Sequence, residues 1–157
     1  MVANVMKAEV YIALGSNLGD RYRNITRAAD ELKCLSSHFL LSALYETDPV
    51  GFSAQPGFVN AVCKLWTNLS PFDLWAKISQ IQDMIGGSHS FLNAPRFLDI
   101  DLLTYSDWVF EIPGLKIPHP RMYSREFVLK PMADVGMFFR HPVLKKSVIE
   151  LLQEIEQ

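Results

Sequence analysis

The sequence predicts a mixed α/β (α+β) fold in which helices pack on an antiparallel sheet. Three observations carry this. Short apolar stretches of strand length alternate with two longer segments of helical periodicity. Each of those two helices has its own start signal. No repeat, low-complexity stretch or linker divides the 157 residues, a length suited to one domain with a sizeable core, so residues 1–157 read as a single domain. The element order β-α-β-β-α-β, with additions after it, is the ferredoxin-like arrangement.

"AEVYIALGSN" reads as a strand over residues 8–14 that ends in a Gly-Ser-Asn turn. Asp20 can cap a helix over 21–34, where Ile25, Ala28, Ala29 and Leu32 share a face. "HFLLSALYET" reads as the second strand and "FVNAVCKLW" as the third. The "DPVGFSAQPG" between them is too long for a tight hairpin turn, which hints at function. Ser70, Pro71 and Asp73 open a second helix, an N-cap followed by a preset first residue and early negative charge. It should run to Ile85, where Gly86 and Gly87 stop it. A strand follows over 97–105, then the proline-bounded "KIPHPRMYSREFVLKPMADV" with a short helix at its end. "SVIELLQEIEQ" is a last amphipathic helix.

Charge and cysteine content narrow the function. Fifteen basic against 17 acidic residues argue against a broad nucleic-acid footprint, leaving room only for a local anion site. Cys34 and Cys63 lack metal-ligand spacing and are too few for a disulfide framework, so both read as reduced thiols. No apolar run reaches the roughly 18 residues of a membrane span, and the first residues do not resemble a signal peptide. The expectation is a cytoplasmic protein, a monomer or weak homodimer, with small-molecule partners and neither nucleic acid nor membrane.

The chemistry concentrates in "PRFLDIDLLTY". Alternation puts Asp99 and Asp101 on one face with Phe97 and Leu103, and Leu98, Ile100 and Leu102 on the other. Two neighbouring carboxylates repel, so something positive should meet them. One reading is an edge strand with two solvated acids. The other is a hard-cation site, since Mg²⁺ is commonly held by one or two carboxylates together with substrate phosphates. Arg96 could reach the same phosphates, and His119 and Arg125 could fold over the strand from downstream. Each of these two also has a plain reading, as a loop histidine and as a surface ion pair with Glu126. Asn60 offers donors and an acceptor to a flat heterocycle, and Phe58 a ring for stacking or for the core. No Walker motif, dinucleotide fingerprint or nucleophile elbow is present. A two-metal nuclease would need a basic channel, which this composition does not offer.

"YIALGSNLGD", "YETDPVG", "GFVNAV", "PRFLDIDLL" and "IPHPRMYSREFVLKP" together resemble, in order and spacing, the 6-hydroxymethyl-7,8-dihydropterin pyrophosphokinases of folate biosynthesis, over residues 9–135. The resemblance implies a three-layer α-β-α sandwich on the ferredoxin-like sheet. It implies transfer of the β,γ-pyrophosphoryl group of ATP to the pterin hydroxymethyl group, with release of AMP. By the same resemblance Asp99 and Asp101 would hold two Mg²⁺ ions. Arg96 would stabilise the transferring group, His119 and Arg125 would bind ATP phosphate, and Leu102 would lie near adenine. Pterin would sit between Phe58 and Phe127. Asn60 and the backbone of Thr47, Asp48 and Val50 would read its polar edge, and Asn17 would border the pocket.

The chain also departs from the family. Its mobile loop is usually arginine-rich and carries Trp-Gly before the Pro-Arg. Here no Lys or Arg lies between Lys77 and Arg96, and Asn93-Ala94 stands in place of Trp-Gly. Phe97 replaces a small Thr, Gln82 stands at a glutamate position, and Asp48 precedes Pro49. Lys116, Arg121 or Lys130 could compensate for the missing charge. The alternative is a catalytically weakened or inactive pterin-binding paralogue.

Overall fold

A computed structural model describes residues 7–47, 57–87 and 97–156. β1 (Ala8–Ser16) leads through α1 (Arg21–Lys33) to β2 (His38–Leu41) and β3 (Tyr45–Thr47). β4 (Phe58–Thr67) leads through α2 (Pro71–Gly86) to β5 (Asp99–Tyr105). A small hairpin, β6 (Phe110–Ile112) and β7 (Leu115–Ile117), precedes a 3₁₀ turn at Met122–Ser124. α3 (Glu126–Gly136) and α4 (Val148–Glu156) follow.

The helix starts are made by the predicted caps. Asp20 accepts from the Arg23 N–H at 3.1 Å, and Ser70 from the Asp73 N–H at 3.2 Å. Gly87, at φ 70°, closes α2 in a conformation that other residues resist.

The main sheet runs β2-β4-β1-β5 and is antiparallel throughout, with β3 also paired to β4. This is the ferredoxin-like order. Where the sequence reads one second strand, the structure has two, broken at Ser42. The Ser42 hydroxyl accepts from the Val62 N–H at 2.9 Å and so replaces a ladder bond with a side-chain bond. The β6–β7 hairpin was not predicted either. It turns at Pro113-Gly114, with Gly114 at φ 85°.

β1 divides its side chains between two cores. Val10, Ile12 and Leu14 meet Ile25, Ala28 and Leu32 of α1 and Leu74 and Ile78 of α2. Tyr11 faces the other way, with Val62 and Leu103, against Val128, Leu129 and Met132 of α3 and Leu151 of α4. The result is the three-layer sandwich. Each fully buried aliphatic side chain contributes about 1.5–3 kcal/mol to holding the layers together.

β5 carries one irregularity. Ile12 faces Leu102 while Tyr11 faces Thr104, so Leu103 is an extra residue, a β-bulge. Before it, alternation holds: Ile100 and Leu102 enter the α1/α2 core. After it the parity flips, and Tyr105 joins that same core.

Candidate active site

The register places the predicted residues in rows across one end of the sheet. Gly15 pairs with Asn60 on one side and with Asp99 on the other, and Asn60 pairs in turn with Tyr45. One step along, Ala13 lies between Val62 and Asp101. Both carboxylates therefore stand on the α3/α4 side of the sheet, separated from the Asn60 strand by two of the smallest residues. A Cβ on Gly15 would sit 3.2 Å from Asn60 Oδ1 and 3.8 Å from Phe58 Cδ1. Glycine there leaves Asn60 and Phe58 their positions.

Asn60 is buried and oriented. Its Nδ2 donates to Thr47 Oγ1 at 3.4 Å, and the Thr47 hydroxyl donates to the Phe58 carbonyl at 3.4 Å. Asn17, buried just past β1, lies at the same end. Arg21 of α1 joins the two chain segments on either side of residues 48–56. It donates to the Gly57 carbonyl at 2.8 Å and to Glu46 Oε1 at 2.6 Å. Arg21 and the Tyr22 hydroxyl, both bonded to Glu46, hold its carboxyl below the ordinary range. Asp48, Val50 and Arg96 lie outside the described residues, as do residues 88–95.

The cationic side forms along the outer edge of β5. The His119 N–H donates to the Leu103 carbonyl at 2.8 Å, which ties the Ile-Pro-His-Pro segment to the acidic strand. His119 Nδ1 accepts from the Arg121 N–H at 3.2 Å, so the neutral ring carries its proton on Nε2. Burial lowers the His119 pKa; Asp101 opposes this, while Arg125 and Arg121 add to it. At neutral pH His119 is thus an uncharged donor within the electrostatic reach of Asp101, Arg121 and Arg125. The Arg125 guanidinium lies 5.4 Å from the centroid of the exposed Phe127 ring, on the first turn of α3.

Beside this cluster opens a cleft of 360 Å³. Asp101, Leu102 and His119 line it together with Trp75 of α2 and Ile112 and Lys116 of the hairpin. The hairpin wall was missed in the sequence, although a Pro-Gly turn between "FEI" and "LKI" signals it. Among the described residues no group of three or more His, Cys, Asp or Glu is placed to hold a metal. A carboxylate pair suits Mg²⁺, which keeps several waters and takes further oxygens from substrate phosphates.

Half-buried His119 and buried His141 predict an acid limit to stability. Burial depresses the pKa of His119 and of His141. A depressed histidine contributes stability above its unfolded value of about 6.5 and loses it as pH falls through the folded value. The urea midpoint is therefore expected to hold from pH 8 to 7 and to fall below about 6.5. The two His→Gln variants should flatten that decline.

Residues 11–137 match the sequence model of the 7,8-dihydro-6-hydroxymethylpterin-pyrophosphokinase family. The chain belongs to that family. A pyrophosphokinase of Aquifex aeolicus is 36% identical over 147 residues, covering 94% of this chain and 92% of that protein. One of Pseudomonas aeruginosa is 40% identical over 139 residues, covering 87% and 86%. The folic acid synthesis protein FOL1 of Dictyostelium discoideum is 40% identical over 135 residues, 86% of this chain. This pyrophosphokinase-family chain spans only 20% of that longer protein. In structure it is similar to the HPPK-DHPS of Plasmodium falciparum, with a TM-score of 0.76 at 15% identity, over 97% of this chain and 45% of that one. At that identity the likeness is one of fold.

Within this family frame the predicted residues fall into two groups. Asp99, Asp101, Leu102, His119 and Arg125 gather along or against β5. Asn17, Thr47, Phe58 and Asn60 gather at the neighbouring ends of β1, β3 and β4. Phe127 joins the first group through Arg125.

Proposed function

We propose that the chain is a 2-amino-4-hydroxy-6-hydroxymethyldihydropteridine diphosphokinase, one domain over residues 1–157. It moves the β,γ-pyrophosphoryl group of ATP onto the hydroxymethyl oxygen of 6-hydroxymethyl-7,8-dihydropterin. The oxygen forms the new bond to the β-phosphorus and loses its proton, the α,β-bridging P–O bond breaks, and AMP leaves. The observation that carries this reading is the row Asp99–Gly15–Asn60, which sets one of the paired carboxylates across a single intervening strand from a buried amide.

Each residue takes a role its position supports. Asp99 and Asp101 hold two Mg²⁺ ions, which when bound neutralise phosphate charge and favour ionisation of the hydroxyl. His119 donates from Nε2 to a phosphate oxygen, and Arg125 and Arg96 supply positive charge. Leu102 offers adenine an apolar face in the 360 Å³ cleft. Asn60, Asn17 and the backbone of Thr47, Asp48 and Val50 read the polar edge of the pterin, and Phe58 and Phe127 cover its faces. Phosphoryl transfer rests on positioning and electrostatic stabilisation, so the reaction does not require a dedicated side-chain base. The reading includes a cytoplasmic monomer or weak homodimer with neither nucleic acid nor membrane as partner. No helix among the described residues is long and apolar enough to cross a membrane.

AMP formation from ATP and the pterin, with and without Mg²⁺, tests the proposal. Mg²⁺-dependent AMP matched by pterin pyrophosphate is the expected result. Pterin binding without AMP would identify a binding paralogue instead. Phe58→Ala should weaken pterin binding roughly fivefold or more, the scale of lost ring stacking, and leave ATP binding unchanged in calorimetry. Unaltered pterin affinity would remove Phe58 from the pocket.

A further inference from the structure

Among the described residues β5 has a strand neighbour on one side only, β1. In an antiparallel pair, successive residues turn their backbone groups alternately toward and away from the partner. The Ile100 N–H turns away, and the acceptor it finds is a side chain: Gln82 Oε1 of α2, at 2.9 Å. Ile100 lies between Asp99 and Asp101, so this bond fixes the peptide segment that joins the two carboxylate-bearing residues.

A second amide acts on the other side of Asp99. Asn24 of α1 is 92% buried, with 8% of its surface exposed. Its Nδ2 donates to the Phe97 carbonyl at 3.1 Å, to the Leu18 carbonyl at 3.0 Å and to Ser16 Oγ at 3.2 Å. Asn24 thereby ties the entrance of β5 to the end of β1, where Gly15 and Asn17 stand. Two helices on one face of the sheet thus reach the backbone of β5 on both sides of a carboxylate that projects from the opposite face.

The choice of an amide at 82 also has an electrostatic content. A glutamate could accept the same bond from Ile100, but it would bring a third negative charge to a strand that already carries two. A neutral acceptor holds the backbone without that charge.

We propose that Gln82 is a positioning residue: with Asn24 it sets the disposition of Asp99 and Asp101, and its neutral amide limits the divalent-cation affinity of the pair. The proposal rests on the metal-holding role given above to these carboxylates.

The experiment measures the Mg²⁺ half-saturation for binding of an α,β-methylene ATP analogue, together with amide exchange at Ile100, in the full chain. Gln82→Leu, which keeps bulk and loses the acceptor, should raise the half-saturation about fivefold to tenfold, the scale of one hydrogen bond. It should also accelerate Ile100 exchange and leave pterin affinity unchanged. Gln82→Glu should restore the protection of Ile100 and lower the half-saturation below that of the wild type. Faster Ile100 exchange in Gln82→Leu with an unchanged half-saturation would overturn the positioning role. A half-saturation in Gln82→Glu equal to the wild type would overturn the charge role, and this arm remains decisive if Gln82→Leu does not fold. Failure of the underlying reading looks different. In that case Asp99→Ala and Asp101→Ala would leave the Mg²⁺ dependence of nucleotide binding intact, and the role of Gln82 would fall with it.

Discussion

Asp101→Ala should lower Mg²⁺-dependent AMP formation by about 10³-fold or more, and Asp99→Ala should do the same. A metal that neutralises phosphate charge contributes several kcal/mol to the transition state, and each 1.4 kcal/mol is a factor of ten in rate. With one carboxylate gone, the other cannot organise the same oxygen donors. The fold should not respond in kind. Asp101 is exposed, and surface substitutions away from special features usually change stability by no more than about 0.5 kcal/mol. A second signal accompanies the loss. Asp101 is the group that raises the His119 pKa against burial, Arg125 and Arg121. Removing it should shift the His119 titration to lower pH, as seen by NMR. Unchanged nucleotide affinity in both alanine variants, with stability also unchanged, would return the pair to the role of two solvated surface acids.

Gly136→Ala should destabilise the protein by about 1–3 kcal/mol, the range of an overpacked core. The sign is unusual, because alanine in a helix normally gains about 0.5–1 kcal/mol over glycine. Here the Cβ would lie 2.6 Å from Tyr11 Cζ and 2.8 Å from Cε1, with the phenolic oxygen closer still. Tyr11 is 1% exposed and belongs to the α3/α4 core, so its ring has little space to yield. A loss of 1 kcal/mol corresponds to about 2–4 °C in a domain of this size, giving a fall of about 2–12 °C in thermal unfolding. Tyr11→Phe in the same chain should recover part of the loss, since it removes the oxygen and leaves the two ring carbons. A Gly136→Ala protein as stable as the wild type would show that α3 can slide away from the sheet.

The helices and the carboxylate pair were legible because their signals are local. Ser70-Pro71 and Asp20 are caps by chemistry alone, and the Asp99/Asp101 face follows from period two. The break of the second strand at Ser42 depends on a hydroxyl reaching Val62 across a strand, and no periodicity announces that. The bulge at Leu103 is likewise a property of the β1–β5 pairing. It leaves the carboxylates where alternation puts them and reverses only the far end. The β6–β7 hairpin is a different case: its Pro-Gly signal stands in the sequence, but no element is predicted from it over residues 106–115. Gln82 drew notice only as a departure from the family pattern. That its amide meets the Ile100 backbone, as Asn24 meets Phe97, depends on two helices packed against one strand.

The pairing of β5, one-sided among the described residues, also bears on self-association. An edge strand offers its outward N–H and C=O groups as a template for another chain, and long apolar edges are aggregation sites. If two copies of β5 paired antiparallel about Ile100, each Asp99 would face the other's Asp101. Four carboxylates would then crowd one face of the junction, a repulsive arrangement for directly opposed strands. The acids that suit the strand to magnesium would also keep it from propagating the sheet before α1, α2 and the His119 segment cover it. On the proposed function, colloidal stability and catalysis would thus draw on the same pair of side chains.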